Sequence, residues 1–304
     1  MSSVLLRLCL LFAPYICSAQ WCYQSQYSCE GKCQGPSQWV RDFPECGGQI
    51  QSPVNIVTRM VQYDPSLTAI IFENYTEVMN ITVVNIGYAA VFFLPPSMRI
   101  RGGGLPDTYK AVQFHLHWGS DCGPGSEHTV DGEQYPMEVH IVHIKQQYNT
   151  LSEAMNDPVG VAALGFFFEV SPHENRQFYK VIEALGRIQY NGNSSVMTGF
   201  QLTDMLTSLE NFSSYYRYAG SLTVPGCNEA IIWTVFQQSI PISRQQLALV
   251  TQQMFFSTGK PMIDIFRPVQ NLNGRIVYTS MACPCVFSSP VTLVLCLLYI
   301  FELV

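Results

Sequence analysis

Short apolar runs, each closed by turn residues within a few positions, constrain the fold of this chain more than any other feature. Ile70 to Phe72, Ile81 to Val84, Ala89 to Leu94, Ala111 to Phe114, Val139 to Ile144, Val161 to Val170 and Ala230 to Phe236 all have strand-like length and content. Between them stand Gly102-Gly103-Gly104, Gly123-Pro124-Gly125 and Asp131-Gly132. Runs of this kind bounded by Gly and Pro specify strands joined by turns. Helical pattern is thinner: Asn175–Ile188, with Ser171-Pro172-His173-Glu174 as the expected cap, and Gln245–Phe255. No repeat or linker divides residues 20–280. The expectation is one mainly β (α+β) domain, a sheet with peripheral helices. Apolar residues at 48% exclude a disordered scaffold. Charged residues are only 12%, with 16 basic against 22 acidic, so there is no basic footprint for nucleic acid.

The two ends carry addressing signals. Residues 1–19 hold Arg7, an apolar run from Leu8 to Ile16, and the small-residue ending Cys17-Ser18-Ala19. This is the pattern of a secretory signal peptide cleaved after Ala19. Residues 291–301 are apolar, shorter than the span of about 20 residues a membrane helix needs, and no Lys or Arg follows them. With small Ser280 and Ala282 and a spacer upstream, the end fits a glycosylphosphatidylinositol (GPI) attachment signal, residues 281–304, removed after Ser280. A single-pass anchor with almost no tail is the alternative. Trimming leaves six cysteines, Cys22, Cys29, Cys33, Cys46, Cys122 and Cys227. An even count in an oxidising compartment allows three disulfides, and six cysteines leave 15 pairings open. Sequons begin at Asn74, Asn80, Asn193 and Asn211.

The chemistry is concentrated in Gln113-Phe114-His115-Leu116-His117-Trp118-Gly119. Side chains alternate faces along a strand, so His115 and His117 point one way while Phe114 and Leu116 point the other. In Met137-Glu138-Val139-His140-Ile141-Val142-His143, the two histidines are three apart and face opposite sides. Only one can join the first pair, and Glu138 and Val142 share the face of His140. Three histidines with an open fourth position suit a catalytic zinc. Gln113 and Glu138, each two residues before a ligand, could hold the second imidazole nitrogens. Spacing alone leaves this open against ordinary core or surface histidines.

Five further blocks resemble the α-class carbonic anhydrases over nearly all of residues 20–280. They are Gly35-Pro36-Ser37-Gln38-Trp39, Gln51-Ser52-Pro53-Val54-Asn55-Ile56, Gly125-Ser126-Glu127-His128-Thr129-Val130-Asp131, Gly220-Ser221-Leu222-Thr223 and Phe266-Arg267-Pro268. The Trp21-Cys22-Tyr23 start, the cysteine placement and the tail look most like the family's membrane-anchored extracellular branch, that of isozymes four and fifteen. The resemblance implies a central, mostly antiparallel twisted sheet of about ten strands, near the upper size of open sheets. It implies Zn2+ on His115, His117 and His140, with Gln113 and Glu138 behind them. Thr223 would accept a hydrogen bond from the attacking hydroxide while donating to Glu127. Val142, Ala163, Leu222 and Trp233 would form the apolar wall where carbon dioxide sits, and His128 would be a buried structural histidine. Disulfides Cys46–Cys227 and Cys22–Cys33 follow from the same resemblance, with Cys29 and Cys122 left over as a third pair.

The chain departs from the family at three positions. Tyr88, in Asn85-Ile86-Gly87-Tyr88, stands where fast members carry a proton-shuttling histidine. Val224 replaces a second threonine after Thr223, and Ala163 is smaller than the usual valine. The implied function is reversible hydration of carbon dioxide to bicarbonate and a proton, on the extracellular face of the plasma membrane. The implied partners are carbon dioxide and bicarbonate, the membrane through a lipid anchor, and ion transporters nearby. The alternative is a carbonic-anhydrase-shaped binding or adhesion module with incidental catalysis, and a zinc hydrolase would use the same site.

Overall fold

The computed structural model describes residues 21–26, 33–206 and 212–282. The signal segment 1–19, Cys29, Asn211 and residues 283–304 lie outside the described residues. The first strands are β1 (Asn55–Ile56), β2 (Gln62–Tyr63), β3 (Ile70–Glu73), β4 (Met79–Asn85), β5 (Ala90–Phe93) and β6 (Arg99–Gly102). The centre of the fold follows with β7 (Tyr109–Trp118), β8 (Thr129–Val130), β9 (Glu133–Gln134), β10 (Met137–Lys145), α1 (Leu151–Ala154) and β11 (Val161–Ser171). Then come α2 (Tyr179–Arg187), β12 (Ser194–Phe200), α3 (Leu202–Leu206), β13 (Tyr215–Gly220), β14 (Ile231–Phe236), β15 (Ile240–Ser243), α4 (Arg244–Gln253) and β16 (Tyr278–Thr279).

Among the described residues, thirteen strands form one sheet, whose main path runs β12-β4-β5-β7-β10-β11-β14-β13-β16-β2. That path has the expected ten strands, while β3, β6 and β15 pair off it. Pairing is antiparallel from β12 to β11, but β11–β14, β11–β15 and β16–β2 are parallel, so the sheet is mixed. Strands β1, β8 and β9 form a separate small sheet. All seven apolar runs lie on strands. The first helical segment begins one turn later than expected: a short 3-10 turn, Arg176–Phe178, leads into α2, and Asn175 caps it by accepting from the Phe178 N–H. Ser171 accepts from the His173 N–H instead, closing a local turn ahead of the helix. Helix α4 starts at a reciprocal capping box between Ser243 and Gln246.

Alternation sorts the sheet into two faces. Phe92, Phe114, Leu116, Val139, Ile141, Leu164, Phe166 and Phe236 all belong to the larger core cluster. It also takes Val181, Ile182 and Leu185 of α2 and Leu247 and Val250 of α4, so the helices cover this face. Phe92 stacks on Phe114 with ring centroids 4.3 Å apart, and Phe166 on Phe236 at 4.4 Å. The opposite face carries the smaller cluster with Val142, Ala163, Phe167, Tyr218 and Trp233, and this is the face of His115, His117 and His140.

His143 falls on the helix-covered side. Its Nε2 lies 2.6 Å from the Tyr75 hydroxyl, and both residues are fully buried. Burial lowers its pKa to about 4. The folded state therefore holds the imidazole neutral where the unfolded chain would protonate it. Its contribution to stability is complete above pH 6.5 and drains away as the pH falls towards about 4, to a limit of about 3 kcal/mol. A His143→Gln variant, which keeps a polar partner for Tyr75, should show a flatter loss of stability between pH 7 and 4.5 in denaturant titrations. An unchanged acid slope would remove His143 as its source.

Candidate metal centre and active site

Strand pairing brings the histidines together. In the antiparallel β7–β10 pair, His115 stands opposite His140 and His117 opposite Glu138. Ligand atoms of His115, His117 and His140 lie within 4.8 Å of one another. Each imidazole is held by one nitrogen from behind. His115 Nδ1 is 3.0 Å from Gln113 Oε1, His117 Nδ1 donates to the Ile265 carbonyl at 2.7 Å, and His140 Nε2 donates to Glu138 Oε1 at 2.7 Å. This leaves Nε2 of His115 and His117 and Nδ1 of His140 to converge. His117 Nε2 is buried and has no hydrogen-bond partner, as a metal-ligating nitrogen requires. Burial, with the neighbouring imidazoles adding to it, holds His115 well below the usual histidine range, and burial likewise lowers His117. Neutral imidazoles are the form a metal binds. The donor set fits a zinc ion with three nitrogen ligands and an open position.

Glu138 anchors more than His140. Its Oε1 also accepts from His128 Nδ1 at 2.7 Å, and its Oε2 accepts the backbone N–H groups of Glu127 at 2.9 Å and His128 at 2.8 Å. Burial would raise its pKa, yet the adjoining His128 and His140 hold it well below the usual carboxylate range. Behind it, His128 Nε2 is 2.6 Å from the Tyr218 hydroxyl, which is 2.9 Å from Ser52 Oγ. Ser52 Oγ accepts the Ser221 N–H, and the Ser52 N–H donates to Ser221 Oγ. A continuous buried chain of hydrogen bonds thus runs from a candidate metal ligand to the loop that carries Thr223. Gly165, opposite His140, makes room for it: a Cβ there would lie 3.0 Å from Glu138 Oε1.

That loop is fixed at both ends. Trp233 Nε1 donates to the Ser221 carbonyl, and the Cys46–Cys227 disulfide clamps it four residues beyond Thr223. Cys22–Cys33 is bridged as well. Cys29 of the expected third pair lies outside the described residues; among those described, Cys122 is a free thiol whose Sγ lies 3.8 Å from the Arg244 carbonyl at the start of α4. Thr223 lines the cavity over the histidines. Its expected bond to Glu127 is not made. Glu127 Oε1 accepts the Arg267 N–H at 2.7 Å, while Oε2 is turned to His117 Nε2 at 3.5 Å and His140 Nδ1 at 3.8 Å, with no hydrogen-bond partner. Arg267 itself is buried. It binds Gln51 Oε1 and the carbonyls of Ser52 and Cys46, which ties Glu127 to the disulfide.

The cavity has a volume of about 190 Å3 and contains every remaining expected site residue: Val142, Ala163, Leu222, Trp233, Val224 and Tyr88. Tyr88 packs edge-on against Trp21 at 4.6 Å. Of the sequons, Asn74, Asn80 and Asn193 are exposed. Sequence reasoning missed the Ile265 carbonyl, because a backbone acceptor 148 residues from its histidine has no side-chain signature. It also missed Tyr218 and Ser52. Ser52 stood within a quoted block, but the bond between them joins residues 166 apart.

A family model for the eukaryotic-type carbonic anhydrases matches residues 34–281. Carbonic anhydrase 4 of Oryctolagus cuniculus is 38% identical over 264 residues, covering 86% of this chain and 84% of its own length. Carbonic anhydrase 15 of Mus musculus is 36% identical over 277 residues, with 86% and 84% covered. Carbonic anhydrase 12 of Homo sapiens is 38% identical over 257 residues, with 82% and 71% covered. With its converging histidines on the matched sheet, the chain belongs to the eukaryotic-type carbonic anhydrase family of enzymes.

Proposed function

We propose that this chain is an extracellular zinc enzyme that interconverts carbon dioxide with bicarbonate and a proton. The observation that carries the proposal is the convergence of three imidazole nitrogens, each backed by its own acceptor, at the floor of an apolar cavity. Zinc bound there supplies the Lewis acidity that brings the ionisation of water close to neutral pH. The protein's own groups do the rest. Gln113, the Ile265 carbonyl and Glu138 fix the imidazole tautomers. Glu127 Oε2, which has no hydrogen-bond partner, would have to turn from the imidazoles to accept from the Thr223 hydroxyl. A threonine oxygen so committed would accept a hydrogen bond from the nucleophile and leave the nucleophile's lone pair for the substrate carbon. Val142, Ala163, Leu222 and Trp233 provide a surface suited to a small molecule without a net dipole. Stopped-flow hydration with parallel metal analysis tests this: one zinc per chain and inhibitor-sensitive turnover are expected. Metal-free, inactive protein would favour the binding-module alternative.

Tyr88 makes proton export the slow step. A relay at neutral pH needs a pKa near 7, and burial raises Tyr88 above its ordinary value of 10. Turnover should therefore rise with the concentration of imidazole-type buffer. Tyr88→His should raise turnover at low buffer while changing kcat/KM for carbon dioxide little. High, buffer-independent turnover with Tyr88 in place would show that another group exports the proton.

The ligand assignment has its own test. His140→Ala should abolish zinc retention after dialysis, whereas His143→Ala should retain it, because only His140 lies on the metal face. Glu138→Gln, which weakens the acceptor behind His140, should lower zinc affinity by about 10–100-fold. Equal zinc loss in both alanine variants would overturn the assignment.

The anchoring proposal rests on the sequence at both ends, supported by the two disulfides, which suit an oxidising compartment, and by the exposed sequons. No helix among the described residues is long and apolar enough to cross a membrane. The Ser280 N–H and hydroxyl bond to the carbonyls of Tyr215 and Ser213, and the hydroxyl oxygen also accepts the Tyr215 N–H. An anchor joined through the Ser280 carboxyl would leave all three bonds intact. A phosphatidylinositol-specific phospholipase should release the protein from intact cells; retention after complete digestion, with a tail peptide detectable, would indicate a spanning helix.

A further inference from the structure

The cavity has two apolar walls, and the proposed reaction uses one. Strand register places them on opposite sides of the histidines. On one side, Val142 pairs with Ala163, and Ala163 with Trp233. On the other, Val91 of β5 pairs directly with His115, which pairs with His140. Ile86, Tyr88 and Ala89 in the β4–β5 turn, with Val224, extend the second wall. Among the described residues, no Lys, Arg, Asp or Glu lines the cavity. The second wall is also held rigid. The Ile86 N–H donates to the Ala89 carbonyl, Asn85 bonds the Gly87 N–H and the carbonyls of Gln189 and Phe255, and Trp21 braces Tyr88. A preformed apolar surface loses little freedom on binding.

Gln113 is the one side-chain amide among the described lining residues, and its Oε1 is turned to His115 Nδ1, so Ile86, Val91 and Val224 offer hydrocarbon and not hydrogen bonds to an occupant. A divalent cation held by the three histidines would give the floor affinity for a single anionic head. We infer that the wall formed by Ile86, Tyr88, Val91 and Val224 is a subsite for the aliphatic tail of a short-chain monocarboxylate whose head lies at the histidines. This placement depends on the metal centre proposed above. Such carboxylates then compete with bicarbonate, and chain length sets how strongly each one holds the site.

Calorimetric titration of the zinc-loaded protein with acetate, butyrate, hexanoate and octanoate tests the inference without recourse to activity. Each added methylene that reaches the wall should raise affinity by up to about fourfold. Val91→Asn, and independently Ile86→Asn, should flatten the series while leaving acetate affinity within about twofold. The second variant serves if the first fails to fold. Two results would overturn the subsite: a flat series in the unmodified protein, or a rising series that both variants leave unchanged. If acetate binds no better to zinc-loaded than to metal-free protein, the metal centre itself is wrong and the subsite falls with it.

Discussion

The buried carboxylate of Glu138 is the interaction on which the rest of the site depends. A charge removed from water costs several kcal/mol unless its lone pairs are satisfied, and Glu138 satisfies them with four hydrogen bonds. Two are imidazoles and two are backbone N–H groups. One carboxylate therefore fixes the orientation of His140, the conformation of the chain at Glu127 and His128, and the approach of β11, where a Cβ at Gly165 would press on it. Through His128 and Tyr218 its influence reaches Ser52 and the loop that carries Thr223. Removing any member strands a polar atom in the interior, which is why the chain can be treated as a single unit.

What was legible in the sequence was local. Alternation along a strand is a two-residue rule, so the common face of His115 and His117, the separation of His140 from His143, and the placing of Gln113 and Glu138 behind their ligands could be read directly. The apolar runs marked strands for the same reason. What was not legible depends on distant chain. Whether β14 runs parallel or antiparallel to β11 is decided by the connection between them, not by their own residues. Strand β12, Ser194–Phe200, is an edge strand with much of its length exposed, so it lacked an apolar run to announce it. The Asn175 cap was missed because Ser171 and Asn175 are both good capping residues, and the choice between them is made where the helix meets Gln246.

The resemblance to the family added roles that spacing could not supply, and the structure qualifies two of them. Glu127 is in place, but its free oxygen looks at the imidazole nitrogens and not at Thr223. Cys122 is a free thiol among the described residues, which do not include Cys29. The departures at Tyr88 and Val224 belong together with Ile86 and Val91 on one side of the cavity, where isolated changes become a continuous surface. A wall that offers water few hydrogen bonds cannot hold a file of ordered molecules from the histidines to the mouth. The slow proton export and the hydrocarbon subsite proposed above therefore rest on one and the same surface.

The disulfide between Cys46 and Cys227 spans 181 residues, and that separation matters during synthesis. Cys22, Cys29, Cys33 and Cys46 emerge from the ribosome together, long before Cys227 exists. The thiol of Cys46 must therefore wait, or pair wrongly with a neighbour and be released by thiol–disulfide exchange. Ile265 and Arg267, which steady His117 and Glu127, are made later still, and β2 has no strand beside it until β16 appears. Nascent chains shorter than about this length carry all three histidines but lack the groups that orient them, so the site is completed by a finished domain and not by a growing one.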